Sequence, residues 1–200
     1  MPTETMIAPG FSDPVFQSQA AFRALLAALS EPGTLQQVAG EIAPPEGLAT
    51  ATATALLTLA DYETPVWLPE ALRNGPAGAW LRFHCAAALV DDPAEAAFAV
   101  IDGAADEPRL SAFNLGTDQF PDRSTTVIVQ VAGLEGGPAI TFSGPGIPGT
   151  RTITSQGLRA RFIDELHENN AIYPLGVDVL LAHGEGLIGL PRSTQIEEVR

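Results

Sequence analysis

The spacing of apolar and polar residues changes several times along this chain, and each change marks a new element. Val15, Phe22, Leu25, Leu26 and Leu29 fall on one face at helical spacing, with Gln17, Gln19, Arg23 and Ser30 elsewhere. This predicts an amphipathic helix. Asp13 and Pro14 suit its start, because the carboxylate can accept an orphan N–H and proline at the first position has none to lose. Glu31-Pro32-Gly33 stops it, since proline disfavours helical geometry in the residue before it and glycine permits a left-handed exit. Residues 1–12 read as a flexible arm, and residues 13–200 as one domain.

Thr34–Val38 reads as a short strand, and Pro44-Pro45-Glu46-Gly47 as a turn. The Ala, Thr and Leu run from Leu48 to Ala60 predicts a helix whose small side chains allow close packing. Leu56–Leu68 then turns a helix end through Asp61-Tyr62-Glu63 and Thr64-Pro65 into a short apolar strand holding Trp67. The indole ring there is mostly buried, and its N–H needs an acceptor. Pro69–Gly78 reads as loop. Trp80, Arg82 and His84 alternate with Leu81, Phe83 and Cys85, a pattern that predicts a strand.

Asp91-Asp92-Pro93 opens a helical turn, and Phe98–Ile101 is a brief strand ending at Asp102. A small helix is expected within residues 104–115, around Leu110 and Phe113, followed by a loop over 116–124. Thr125–Val131 is strongly β-branched and reads as a strand. The turn Leu134–Pro138 leads into Ala139–Ser143, which predicts an antiparallel hairpin. Leu158, Phe162, Ile163 and Leu166 mark a second amphipathic helix over 158–168, ended by Asn169-Asn170. Val177–His183, Leu187–Leu190 and Gln195–Val199 read as strands. The order of elements predicts an α/β fold, a three-layer sandwich around a mixed sheet. Neither an internal repeat nor a low-complexity segment is present.

With 200 residues and 46% apolar content, one core is expected. No apolar run approaches the ~20 residues that span a bilayer. The N-terminal residues lack a basic region followed by an apolar one, so a cytoplasmic protein is expected. A single cysteine, Cys85, excludes an internal disulfide and fits a reducing compartment.

The net charge is −14, and all ten basic residues are arginine. Without lysine the chain cannot form an internal Schiff base, supply a Walker-type phosphate lysine or use a lysine general base. Its acidity also opposes binding to a nucleic-acid backbone.

Candidate chemistry is sparse. Gly144–Gly149 is rich in glycine, but Pro145 and Pro148 remove donors that a phosphate cradle would use. Pro191-Arg192-Ser193-Thr194 places a guanidinium and two hydroxyls after a strand, suited to an anion or to pairing with one of the many carboxylates. His84 and Cys85 are adjacent and, on a strand, would point to opposite faces. His167 and His183 lie on other elements, and no metal-ligand spacing is present. Asp61 and Glu63 are two residues apart, a spacing that does not by itself make an acid and base pair.

Several stretches together resemble the PhnH family of the bacterial C-P lyase system for phosphonate use. They are Phe22–Gly33, Leu56–Leu68, Arg82-Phe83-His84 with Leu89-Val90, Gly144-Pro145-Gly146-Ile147, Pro174-Leu175-Gly176-Val177-Asp178 and Pro191-Arg192-Ser193-Thr194. Ala88 departs from the family pattern, where proline is expected. The resemblance implies a fold similar to the large domain of pyridoxal-phosphate-dependent transferases, without that cofactor, in a homodimer. It also implies work with G, I and L subunits, which replace the adenine of ATP with methylphosphonate to give alpha-D-ribose 1-methylphosphonate 5-triphosphate. Assembly with the J subunit that cleaves the C-P bond is implied as well. The role so implied is a noncatalytic accessory subunit, with no cofactor and no metal. The candidate ligand or interface residues are Asp61, Thr64, Trp67, Arg82, His84, Asp178, Arg192 and Thr194. A second role stays open, a nucleotide or phosphonate site at a dimer cleft using Arg192, His84 and Asp61.

Overall fold

The computed structural model describes residues 7–38, 42–106 and 108–199. Among these residues are five α-helices: α1 (Pro14–Ser30), α2 (Thr50–Leu59), α3 (Glu70–Arg73), α4 (Pro76–Cys85) and α5 (Phe162–Ala171). The larger sheet has seven strands: β1 (Leu35–Gln37), β2 (Val66–Trp67), β3 (Leu89–Val90), β4 (Phe98–Asp102), β5 (Thr126–Gln130), β8 (Asp178–His183) and β9 (Gly186–Leu190). Its order is β1-β9-β8-β5-β4-β2-β3. From β8 to β3 the strands run parallel, while β9 and β1 are added antiparallel at the other edge. The fold is therefore α/β with a mixed sheet. Three further strands, β6 (Ala139–Ser143), β7 (Arg151–Thr154) and β10 (Gln195–Val199), form a separate antiparallel sheet in the order β10-β6-β7.

Both faces of the large sheet are covered, because its central strands are apolar at successive positions. Val100, Ile128, Leu180 and Ala182 pack with α1, α2 and α4 through Leu25, Leu56, Trp80 and Leu81. Ala99, Ile101, Val127, Val129, Val179 and Leu181 pack on the opposite face with Phe142, Ile153, Phe162 and Leu166. Helices α1, α2 and α4 thus cover one face, and α5 with the small sheet covers the other.

Helix α1 starts as expected, with the Asp13 carboxylate accepting the Phe16 N–H at 3.3 Å. Its covered face is different from the one predicted. Ala21, Leu25 and Ala28 are buried, while Val15, Phe22 and Leu26 remain exposed. The reason is the close approach of β9, where a Cβ on Gly189 would lie 2.3 Å from the Ala28 carbonyl oxygen. The tight approach falls at Ala28, and Ala21 and Leu25 share its face of α1.

Three other expectations are corrected. Residues 76–85 form a helix, not a strand: Ala77, Trp80, Leu81 and His84 recur at helical spacing, and Pro76 occupies the first turn. The stretch read as loop over 69–78 holds α3 and the start of α4. β5 and β6 do not form a hairpin, since β5 is paired by β4 and β8 and β6 by β7 and β10. In addition, α5 begins at Phe162 and runs through Asn169 and Asn170 to Ala171. Of the expected N-terminal arm, residues 1–6 lie outside the described residues. Residues 7–12 adopt no helix or strand, yet Ala8 and Phe11 pack against the helical core.

Candidate functional site

Three of the singled-out sequence motifs converge on one surface groove at the amino-terminal end of β8. Asp178 opens that strand, and Arg192 lies just beyond β9. The antiparallel hairpin β8–β9 brings them together, and the guanidinium grips the carboxylate at two points. Arg192 Nε donates to Asp178 Oδ1 at 3.1 Å and Nη2 to Oδ2 at 2.7 Å. The Arg192 backbone N–H adds a third bond to Oδ1 at 2.9 Å. Nη1 donates to the Pro121 carbonyl. Every nitrogen of the guanidinium is thus engaged within the chain, as the ion-pairing reading of this arginine requires and the anion-site reading does not.

The groove above this pair measures about 370 Å³ and is walled by Pro121, Pro145, Tyr173, Pro174 and Pro191. Its approach is fixed by Asn169, which clamps Val177 with bonds in both directions at 2.8 and 2.9 Å. Asn170 holds the Arg192 carbonyl at 3.0 Å. Thr194 is buried nearby in sequence, its N–H bonded to the Pro191 carbonyl at 2.8 Å. Tyr173 stays 61% exposed, so the wall is largely a ring and four prolines open to solvent.

The other expected residues lie elsewhere. Asp61 and Thr64 form a self-contained turn: Thr64 Oγ1 donates to Asp61 Oδ1 at 3.0 Å and accepts the Asp61 N–H at 2.7 Å. Glu63 N–H also donates to Asp61 Oδ1, at 2.9 Å. Trp67 finds its acceptor inside the chain, the Asp91 carbonyl at 3.1 Å, and its ring meets Phe113 edge-on at 5.7 Å. His84 Nε2 lies 2.9 Å from the Ala8 carbonyl, where it donates and so fastens the N-terminal segment to α4. Its ring is flanked edge-on by Trp80 and Phe83. Arg82 is exposed on α4. None of Asp61, His84 or Arg82 lines the Asp178–Arg192 groove.

The setting of Cys85 favours the thiol over the thiolate. Burial, with the Asp61 carboxylate adding to it, pushes the thiol up to about 11. Its Sγ faces the Leu56 carbonyl at 3.7 Å. Among the described residues, no group of three or more His, Cys, Asp or Glu side chains is placed to hold a metal ion. No described helix is long and apolar enough to cross a membrane.

Two polar centres were not anticipated. Glu165 is buried on α5, pairs with Arg159 at 2.8 Å and accepts the Leu110 N–H at 3.0 Å. Gln130, at the carboxyl end of β5, accepts the Ala49 N–H at 2.7 Å and donates to the Gly47 carbonyl at 2.9 Å. It stands beside a crevice of about 470 Å³ that also touches Pro69 and Asp102, beyond the carboxyl ends of the parallel strands. Crevices there commonly take ligands in α/β folds. Here both the oxygen and the nitrogen of the Gln130 amide are engaged by the segment that leads into α2. The one polar break in an otherwise apolar β5 run was the sequence signal for Gln130; nothing in the pattern distinguished Glu165 from an exposed helical carboxylate.

The chain matches a model of the bacterial phosphonate metabolism protein family PhnH over residues 9–197. It is 41% identical over 187 residues to the alpha-D-ribose 1-methylphosphonate 5-triphosphate synthase subunit PhnH of Rhizobium meliloti strain 1021, an alignment covering 94% of each chain. It is also 30% identical over 181 residues, 90% of this chain and 86% of the other, to HtxG of Stutzerimonas stutzeri, a protein named provisionally as a C-P lyase subunit. The match spans the groove motifs, the helical layer and the Asp61–Trp67 corner alike, and the chain belongs to the PhnH family of bacterial phosphonate metabolism proteins.

Proposed function

We propose that this chain is a noncatalytic accessory subunit of a C-P lyase system, supporting formation of alpha-D-ribose 1-methylphosphonate 5-triphosphate from ATP and methylphosphonate. The observation that carries this reading is the near full-length identity to a named synthase subunit. The site chemistry agrees with it. The motif-built groove spends its only guanidinium internally, the lone thiol is suppressed, and Asp61, Thr64 and His84 are engaged in holding a turn and the N-terminal segment in place. Such a surface is suited to docking more than to proton or group transfer.

The reading includes partners of the G, I, J and L type, a homodimer of the isolated chain, a cytoplasmic setting and a fold like the large domain of pyridoxal-phosphate transferases. Co-expression of the chain with those subunits tests it. Recovery of this chain in a complex with at least one of them is the expected result, and its failure to associate with any overturns the proposal. Calorimetric titration of the isolated chain with ATP and with methylphosphonate separates docking from ligand binding. No heat at millimolar ligand is expected; saturable heat would favour a ligand-binding subunit.

A further inference from the structure

Helix α1 carries an apolar seam that the other described residues leave uncovered. Val15, Gln19, Phe22, Leu26 and Leu29 follow one another at intervals of four, three, four and three residues. That spacing keeps a stripe facing a second helix. In the structure Val15 is 73%, Phe22 49% and Leu26 57% exposed, and Leu29 lies at the edge where the stripe meets the chain's own core. Phe16, beside the seam, is 71% exposed. The seam runs on a rigid, capped helix of 17 residues, so its side chains are presented at fixed positions.

Charge narrows what can cover it. The chain has 24 acidic residues, yet none lies in α1, α2 or α4. The only charged side chain on α1 is Arg23, exposed next to the seam in the position from which coiled-coil residues form interhelical ion pairs. A second copy of this chain is a poor occupant of this face, since its own α1 would offer Arg23 no carboxylate.

We infer that α1 is the docking helix for an amphipathic helix of a different protein, apolar at heptad spacing, with a hydrogen-bonding residue opposite Gln19 and a carboxylate opposite Arg23. This rests on the accessory-subunit reading and assigns a surface and a partner chemistry to it. Such a contact is mainly apolar, centred on Phe22, and one ion pair sets its direction.

The test uses the full chain co-expressed with the G, I, J and L type subunits, comparing wild type with Phe22→Glu, Arg23→Glu, Arg23→Lys and Tyr62→Glu. Tyr62 is 72% exposed and off the helix, so its variant controls for adding a carboxylate to an exposed aromatic. Melting curves confirm that each variant folds. Phe22→Glu is expected to lower the recovered complex roughly tenfold or more, and Arg23→Glu by roughly fivefold, with Arg23→Lys and Tyr62→Glu close to wild type. Undiminished recovery of the Phe22→Glu complex overturns the surface assignment and leaves the accessory role standing. Failure of the wild type to associate sinks both. Sedimentation of the isolated chain gives the remaining outcome: a wild-type dimer that Phe22→Glu converts to monomer would make a second copy the occupant and overturn the inference.

Discussion

The pairing of Asp178 with Arg192 ties two of the candidate site residues to each other across the β8–β9 hairpin. Arg192 is held at both ends of its fork, and the pair is only 14% and 22% exposed at its side chains. Removing one member leaves the other charge desolvated and unpaired, which costs more than the pair itself contributes. Asp178→Asn is expected to destabilise the domain by about 2–3 kcal/mol in urea titration, less than for a fully buried pair because water reaches the rim. Arg192→Lys should recover little, since a lysine cannot bridge both carboxylate oxygens and the Pro121 carbonyl in one plane. Cys85 gives a second residue-scale prediction. Its thiol lies at about 11 against an ordinary 9.0. Below pH 9 it is neutral whether the chain is folded or not; above that the unfolded chain loses the proton first, so stability falls as pH rises from 9 to 11. Thiol labelling at pH 8 should be slow in the native protein and fast in denaturant; rapid native labelling would show an open, activated cysteine instead.

At the scale of elements, the sequence was legible where periodicity was long and its ends were marked. Helix α1 with Asp13 and Pro14, the run of α2, strands β4, β5, β8 and β9, and the glycine turn between the last two all follow from pattern. Helix α4 did not, because six residues of alternating character fit either period, and only Pro76 and the burial of Ala77 with Trp80 decide for a helix. The partners of β6 were hidden for another reason: adjacency in sequence does not say which of two sheets a strand joins. The groove's motif segments were visible as sequence, but their convergence was not, since it depends on the β8–β9 register. The uncovered face of α1 was invisible for the same kind of reason. It is set by the approach of Gly189 to Ala28, and Gly189→Ala should therefore push α1 from β9. Backbone cannot yield as a side-chain tip can, so a loss of about 2–3 kcal/mol and a lower melting temperature are expected. Gln130→Leu tests the other helix–sheet tie. With the Ala49 N–H and Gly47 carbonyl left unpaired, amide exchange at the start of α2 should accelerate before the rest of the domain opens.

For the whole molecule the governing quantity is the uneven spread of charge. Twenty-four carboxylates face ten arginines, and the helical layer α1, α2 and α4 holds none of the carboxylates. Apart from buried Glu165, the described acids are therefore crowded onto the remainder of the molecule. There they repel one another, while the exposed ion pairs, such as Arg73 with Asp91 and Arg109 with Glu168, each contribute about 0–1 kcal/mol at most. Salt weakens both effects, so the sign of its influence shows which is larger. With so large an excess of one charge the repulsion should win, and the melting temperature is expected to rise by about 3 °C between low salt and physiological ionic strength. A fall on adding salt would mean that ion pairing dominates. The same measurement on Phe22→Glu bears on docking: one further charge on a helix with no carboxylate of its own should add little to that repulsion, so its salt response should parallel that of the wild type. Differential scanning calorimetry of the two proteins across a sodium chloride series provides the comparison. A markedly steeper slope for the variant would place other carboxylates close to the α1 seam, and would remove the charge argument for a partner helix there.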